Sequence, residues 1–419
     1  MGKQIFPMND NLHINSKRLQ SWLADFATIG ATPNGGVHRL TLTDLDKQAR
    51  DLFVSLAKKA GCTIKIDAMG NIFARRSGED SRLSPVLIGS HIDSQPLGGK
   101  YDGIYGVLAA LEVVYSLNDH NIKTDRPIDV VSWTNEEGSR FAPAMIGSAV
   151  FSGLTSLQDG WSCRDSEGNT IKQELERIGY DGKDNFSNYK IHASLELHIE
   201  QGPILENHNE LIGIVTGALG QKWYDVEFTG MASHAGTTPM EVRQDALLGL
   251  AEAVLEVNTI GKNEKPEGRA TVGMVKITPN SRNVITDKAW FSVEFRHPSE
   301  KGLQRMDQQL FEKIHQIAEK LNLTYSIRPI LSFPPLPFDD TCIEVVRQVT
   351  KNLNYPHRTM VSGAGHDSCN ISKIAPTSMI FIPCIKGISH NEKEEIKPEW
   401  MSAGANVLLN AVKNLSKRQ

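Results

Sequence analysis

The chain has 419 residues, longer than one hydrophobic core usually serves, so two domains are expected. Hydrophobic residues make up 40% and charged residues 22%, which places it among ordinary globular proteins. A net charge of −4 gives no basis for a nucleic-acid or anionic-membrane partner, and no apolar run approaches the ~20 residues of a membrane span. The opening MGKQIFPMND lacks a signal-peptide core, and Phe6 stands where an acylation signal needs Ser or Thr. Five scattered cysteines (Cys62, Cys163, Cys342, Cys369, Cys384) without a CxxC pair fit reduced thiols in a cytoplasmic protein and argue against a cysteine-bound zinc.

In chain order, residues 16–26 and 42–60 carry apolar side chains at helical spacing; Thr43 and Asp44 open the second helix and Gly61 stops it. Residues 63–66 and 71–74 read as a hairpin around Met69-Gly70. Residues 86–88 are a first buried strand, followed by GSHIDSQPLGGKYDGIYG and a helix over 107–117. Residues 128–133 form a second strand that runs into Thr134-Asn135-Glu136-Glu137-Gly138, and residues 195–199 a third, inside SLELHIEQGP. Residues 378–382 are a fourth, followed by PCIKGISHNEKEE. Short apolar runs alternating with helical segments predict an α/β domain with a mostly parallel sheet sandwiched by helices.

The middle of the chain differs. Residues 211–215, 223–228, 271–277, 290–296 and 325–331 read as strands, with helices over 245–257 and 303–321. Two strand–helix–strand halves predict an inserted ferredoxin-like α+β domain over 213–331, with SFPPLPF as the exit linker. The larger domain is then discontinuous, 1–212 and 332–419.

Candidate chemistry collects at strand ends. His91, Glu136, Glu137, His198 and His390 each lie at, or just beyond, the C-terminal end of a predicted strand, and Asp102 follows in the first such loop. Those ends face one edge of a parallel sheet, so the six residues can converge. Imidazoles and carboxylates without thiolates suit a pair of Zn²⁺ ions, with Mn²⁺ or Co²⁺ as substitutes. A bridging carboxylate between two such ions is the arrangement of a metal-assisted hydrolase. Adjacent glutamates fit two jobs, a ligand and a proton carrier, and the residues alone leave open which does which.

The stretches GSHIDSQPLGGKYDGIYGV, WTNEEGSRFAPAMIGS, LELHIEQGP, GMASHAGTTPM, PNSRNVI, FSVEFRHP and SGAGHDSCN with SHNEKEE together resemble the N-carbamoyl-amino-acid amidohydrolases. These belong to the two-metal aminoacylase/carboxypeptidase superfamily, with allantoate amidohydrolase and fungal-type β-ureidopropionase as kin. The resemblance runs from about residue 15 to residue 400. It implies a catalytic domain of two-metal exopeptidase type, an inserted lid through which the chain forms a homodimer, and hydrolysis of a small ureido substrate. Allantoate or N-carbamoyl-β-alanine are the alternative substrates; a peptidase or deacylase disagrees with His198, where many peptidase relatives carry Asp.

Residue by residue, the resemblance implies that His91 and His390 hold one metal, Glu137 and His198 the other, and that Asp102 bridges. It makes Glu136 the general base and Asp93 the residue that fixes the His91 tautomer. Arg296 would clamp the substrate carboxylate with its planar fork, although it is also placed to pair with Glu294, and Arg243 and Arg282 are rivals. Gln201 and Asn283 would give neutral polar contacts, Gly365 and His366 would line the pocket, and His234 would reach the oxyanion from the second subunit.

Overall fold

The computed structural model describes residues 11–186 and 189–418. The expectations for the opening ten residues lie outside the described residues. Along the chain the first strands are β1 (Thr63–Ile66), β2 (Ile72–Arg76), β3 (Val86–His91), β4 (Ile128–Trp133), β5 (Ala193–Ile199) and β6 (Ile212–Ala218). Next come β7 (Gly220–Thr229), β8 (Arg269–Thr271), β9 (Val275–Thr278), β10 (Lys288–His297) and β11 (Thr324–Phe333). The last are β12 (Leu336–Pro337), β13 (His357–Ser362) and β14 (Thr377–Ile382). Two compact units result, one running to Thr216 and resuming at Phe338, the other spanning Gly217–Pro337. The crossings fall a few residues beyond those expected at 213 and 331. SFPPLPF is not a free linker, because β11 extends through Phe333 and β12 follows.

In the first unit the strands run in the order β1-β2-β4-β3-β5-β14-β6. The four central strands, β4, β3, β5 and β14, are parallel, and the flanking pairs are antiparallel. The sheet is therefore mixed, parallel only where the predicted strand ends collect. Every residue of β3, β4, β5 and β14 is buried, as a parallel sheet covered on both faces requires. The helices Ile104–Asp119 and Pro398–Leu415 are themselves buried on most sides, which is why their sequences are apolar nearly all round.

Helix starts follow their caps. Asn15 caps Ser16–Thr28 and Thr43 caps Asp44–Lys59, each side-chain oxygen accepting a first-turn N–H, and Gly61 at φ +83° ends the latter. β3 extends past the expected Ile88 to His91, so that histidine stands on the strand itself.

The second unit has the strand order β11-β7-β10-β8, with β9 also pairing β10, all antiparallel. The expected strand over 271–277 is two short ones, broken between Thr271 and Val275. Burial alternates along β7 and β10, so one face of this sheet is covered. Helices Ala246–Asn263 and Glu300–Lys320 supply the cover, packing Leu250, Val257, Leu303 and Leu310 against Val226, Phe228, Phe291 and Phe295. This is the ferredoxin-like sandwich, completed by its own core.

Candidate metal centre

Strands β3 and β5 are parallel neighbours in register, Val86 opposite Ala193 and Ile88 opposite Leu195. Their C-terminal ends therefore bring His91 and His198 side by side, with ring centroids 6.0 Å apart. The loop after β3 turns back at Gly103, and the buried Asp102 meets both rings. Its Oδ1 lies 3.1 Å from His198 Nε2 and 3.5 Å from His91 Nε2. Its Oδ2 lies 3.4 Å from His390 Nε2, and that nitrogen is 3.5 Å from Glu137 Oε2. Two ligand groups thus share one carboxylate: His91, Asp102 and His198, then Asp102, Glu137 and His390, the atoms of each within 4.8 Å of one another.

This grouping corrects the pairing drawn from the resemblance, His91 with His390 and Glu137 with His198. The reason is strand order. β5 and not β14 stands beside β3, so the two strand-end histidines meet, while His390 and Glu137 arrive together from loops.

The residues fit a pair of cations. His91 gives Nδ1–H to the Asp93 carbonyl (3.0 Å) and His198 gives Nδ1–H to the Ile199 carbonyl (2.9 Å), which turns each Nε2 toward Asp102, with the Gly103 N–H also 3.3 Å from His198 Nε2. Burial would push the Asp102 carboxyl up, yet His198, His390 and His91 together hold it well below the usual carboxylate range. An anion with one oxygen toward each group is what a bridging ligand needs.

Glu136 belongs to neither group, although its Oε2 is 3.5 Å from His91 Nε2. Burial pushes its carboxyl well up; His91 opposes this, and Asp367, Glu137 and Asp93 reinforce it. The turn that sets the two glutamates begins at Asn135, at φ +58°, whose amide donates to the Phe141 carbonyl at 2.8 Å. Asp93 stands behind the His91 ring as expected, but through its backbone. Its main-chain carbonyl, not its carboxylate, holds the His91 ring, and its carboxylate accepts the Glu136 and Glu137 N–H groups at 3.4 and 3.3 Å.

Gln201 also differs. Its amide donates to Asp102 Oδ2 at 2.8 Å and lies 3.3 Å from His390 Nε2, on the ligands themselves. His366 packs its ring 4.6 Å from that of His198, and its Nε2 lies 3.0 Å from Ser362 Oγ. Burial, with His198 alongside, keeps this imidazole neutral. Gly365 precedes it, and a Cβ there would meet the Met145 side chain at 3.0 Å.

Several supporting residues were missed. Gln95 donates its amide to Glu137 Oε2 (2.7 Å) and its main-chain N–H to Oε1 (3.1 Å). Glu394 accepts the N–H groups of Tyr101 and Asp102 (2.9 and 3.0 Å), and Ser389 Oγ lies 2.8 Å from Asp102 Oδ2 and 2.9 Å from Glu394. All three lie inside stretches already singled out, SHIDSQP and SHNEKEE, where only the potential ligands drew notice.

His234, Asn283 and Arg296 belong to the second unit. His234 Nδ1 lies 3.0 Å from the Gly236 N–H and 3.2 Å from the Thr237 N–H and accepts from both, and its Nε2 lies 3.2 Å from the Asn283 amide nitrogen. Arg243, the rival carboxylate binder, instead holds the carbonyls of Ala235 and Thr238 and so fixes this loop. Arg296 pairs with Glu294 through Nε (2.7 Å) and a terminal nitrogen (2.6 Å).

A fold with paired imidazole–carboxylate groups at the ends of parallel strands defines a class. Residues 87–414 match the model of peptidase family M20/M25/M40, and the chain belongs to that family of metal-dependent hydrolases. It is 44% identical over 403 residues to the N-carbamoyl-L-amino-acid amidohydrolase of Rhizobium meliloti, covering 96% of this chain and 97% of that one. It is 34% identical over 417 residues to a ureidoglycolate hydrolase of Arabidopsis thaliana, covering 97% and 88%. An amidase of the hydantoinase/carbamoylase family from Burkholderia multivorans superposes with a TM-score of 0.94 at 53% identity, covering 98% of this chain and all of that one. A tripeptidase from Staphylococcus aureus, at 15% identity and a TM-score of 0.69, shares the fold.

Proposed function

We propose that this chain hydrolyses the carbamoyl amide of N-carbamoyl-L-amino acids to amino acid, carbon dioxide and ammonia. Two divalent cations, zinc or its substitutes manganese and cobalt, would be held by His91, Asp102 and His198 and by Asp102, Glu137 and His390. The observation that carries the reading is the Asp102 carboxylate, which turns one oxygen to each group while Glu136 stands beside them unligated. The relative at 44% identity and the family structure at 53% support the carbamoyl substrate.

The cations, when bound, supply Lewis acidity to the ureido carbonyl and to water. Glu136 accepts the proton of the attacking water and returns it to the leaving nitrogen, and its burial favours holding that proton in between. His234, through Nε2, donates to the developing oxyanion from a second copy of the chain in a homodimer built through the inserted domain. Arg296 receives the substrate carboxylate, and Asn283, Gly365 and His366 complete the substrate contacts. The five cysteines are free and three are buried, which supports a reducing, cytoplasmic setting.

The relatives at 34% identity named ureidoglycolate hydrolase support a second reading, a ureido acid such as ureidoglycolate at the same centre. A panel of N-carbamoyl-L- and D-amino acids, N-carbamoyl-β-alanine, allantoate, ureidoglycolate and an N-acetyl amino acid, scored for amine and ammonia release, separates the readings. The first requires the N-carbamoyl-L-amino acids to lead in kcat/KM. A lead for allantoate or ureidoglycolate would establish the second, and one for the N-acetyl compound would overturn both.

A further inference from the structure

The sheet of the second unit has one face packed under helices and one face without them. Trp223, Glu294 and Arg296 lie on the latter, since their strand neighbours Tyr224, Val293 and Phe295 are buried in the core. β7 and β10 pair in register there, Trp223 opposite Glu294 and Gln221 opposite Arg296. A single oxygen joins the three side chains. Glu294 Oε1 accepts the Trp223 ring N–H at 3.1 Å, the Arg296 Nε–H at 2.7 Å and a terminal Arg296 nitrogen at 2.6 Å.

The indole is therefore held by its polar edge, and what it exposes is hydrocarbon. Trp223 is 40% exposed, a large apolar ring presented outward in a fixed orientation. The apolar surface continues onto β11, where Leu331 stands opposite Trp223, and Phe333, 55% exposed, stands opposite Gln221. Cross-strand partners share a face, so a strip of Trp223, Leu331 and Phe333 borders the Arg296 guanidinium. A cationic fork beside an apolar strip suits a small molecule that carries a carboxylate and a hydrocarbon branch. The Glu294 carboxylate, beside the indole, disfavours an acidic branch, and its charge is already met by Arg296, so a cationic branch gains little. In an N-carbamoyl amino acid, carboxylate and side chain leave the same carbon. A carboxylate held by Arg296 thus carries its side chain to the neighbouring ring.

We propose that Trp223 determines specificity: its exposed indole receives the substrate side chain and selects apolar ones, of the leucine and phenylalanine kind, over small or charged ones. This rests on the carbamoyl reading above and on Arg296 as the partner of the substrate carboxylate.

The test measures kcat and KM for the N-carbamoyl derivatives of glycine, L-leucine, L-phenylalanine, L-aspartate and L-lysine. Native protein is compared with Trp223→Ala and Trp223→Phe, each checked for folding by circular dichroism. The native chain should favour the leucine and phenylalanine derivatives in kcat/KM. Trp223→Ala should lose ~10-fold or more on those two, through KM, because a single apolar group in a pocket already discriminates ~10–200-fold. The glycine derivative, with no side chain to place, should change little. Trp223→Phe keeps an aromatic face without the ring N–H, so it should restore most of the preference. An equal loss on every substrate, glycine included, would make Trp223 only a support for Arg296 through Glu294 and overturn the proposal. An unchanged preference in Trp223→Ala, or a native lead for the glycine, aspartate or lysine derivative, overturns it as well, with the carbamoyl reading left standing. If the metal-loaded native chain turns over none of the five, that reading and this proposal fall together.

Discussion

At the scale of single residues, the adjacent glutamates separate ligand from base. Glu137 reaches His390 and completes a ligand group, whereas Glu136 completes none. Glu136→Gln removes a proton carrier and no ligand, so activity should fall ~10²-fold or more while zinc content measured by elemental analysis stays at the native level. Glu137→Gln should lower zinc content as well, and the reverse pattern would exchange the two roles. Arg296 is a second case. Its guanidinium rests on Glu294, which also accepts from the Trp223 ring N–H at 3.1 Å, so the fork is positioned by its own strand. A charge-assisted contact is worth ~1.5–3 kcal/mol, so Arg296→Ala should cost roughly 10- to 150-fold in kcat/KM. Arg296→Lys should recover only part, since an ammonium cannot reproduce the planar fork. An unchanged KM for a carboxylate substrate would pass the role to Arg282.

Elements decide what the residues can do together, and here the sequence was readable to different depths. The buried strands were legible because β3, β4, β5 and β14 are short apolar runs that end in polar, glycine-bearing loops. The candidate ligands were drawn from those ends, and the structure brings them together. Its pairing did not, because the order β4-β3-β5-β14 is a tertiary fact that no local pattern carries. Gln95, Ser389 and Glu394 stayed hidden for a related reason: each acts through a hydrogen bond between loops, and an amide or hydroxyl in a loop gives no periodic signal. Gly103, by contrast, has a requirement that backbone geometry explains. It sits at φ +67°, and a Cβ there would fall 2.2 Å from His91 Cε1. The loop must therefore pass flush against the ring to deliver Asp102. Gly103→Ala should displace that ring, and zinc affinity measured by calorimetry should fall while the far-ultraviolet circular dichroism stays native. Native zinc affinity in this variant would mean that the loop relaxes around the methyl group.

For the whole molecule, the division into two units assigns the candidate metal ligands and Glu136 to one and His234 to the other. Removing divalent ions with a chelator should abolish ammonia release, and adding them back should restore it, because the family's chemistry depends on metal. Undiminished turnover in verified metal-free protein would remove the basis of the reading. The role proposed for His234 would be a property of an assembly. Its loop is fixed by Arg243, and its Nδ1 is committed to two main-chain N–H groups, so the Nε2 edge of the ring, beside Asn283, is the edge left to meet a substrate. Loss of one oxyanion donor typically costs roughly 10²–10³ in kcat, so His234→Ala should be nearly inactive with native metal content. Glu136→Gln should be inactive for a different reason, at a residue of the other unit. If His234 serves the partner's centre, a heterodimer of the two variants has one site with both residues intact and one with neither. Mixing the inactive proteins under conditions of subunit exchange should then restore up to about half of the native dimer activity in each heterodimer. Heterodimers verified by native mass spectrometry that remain inactive would place His234 in its own chain's site or outside the reaction.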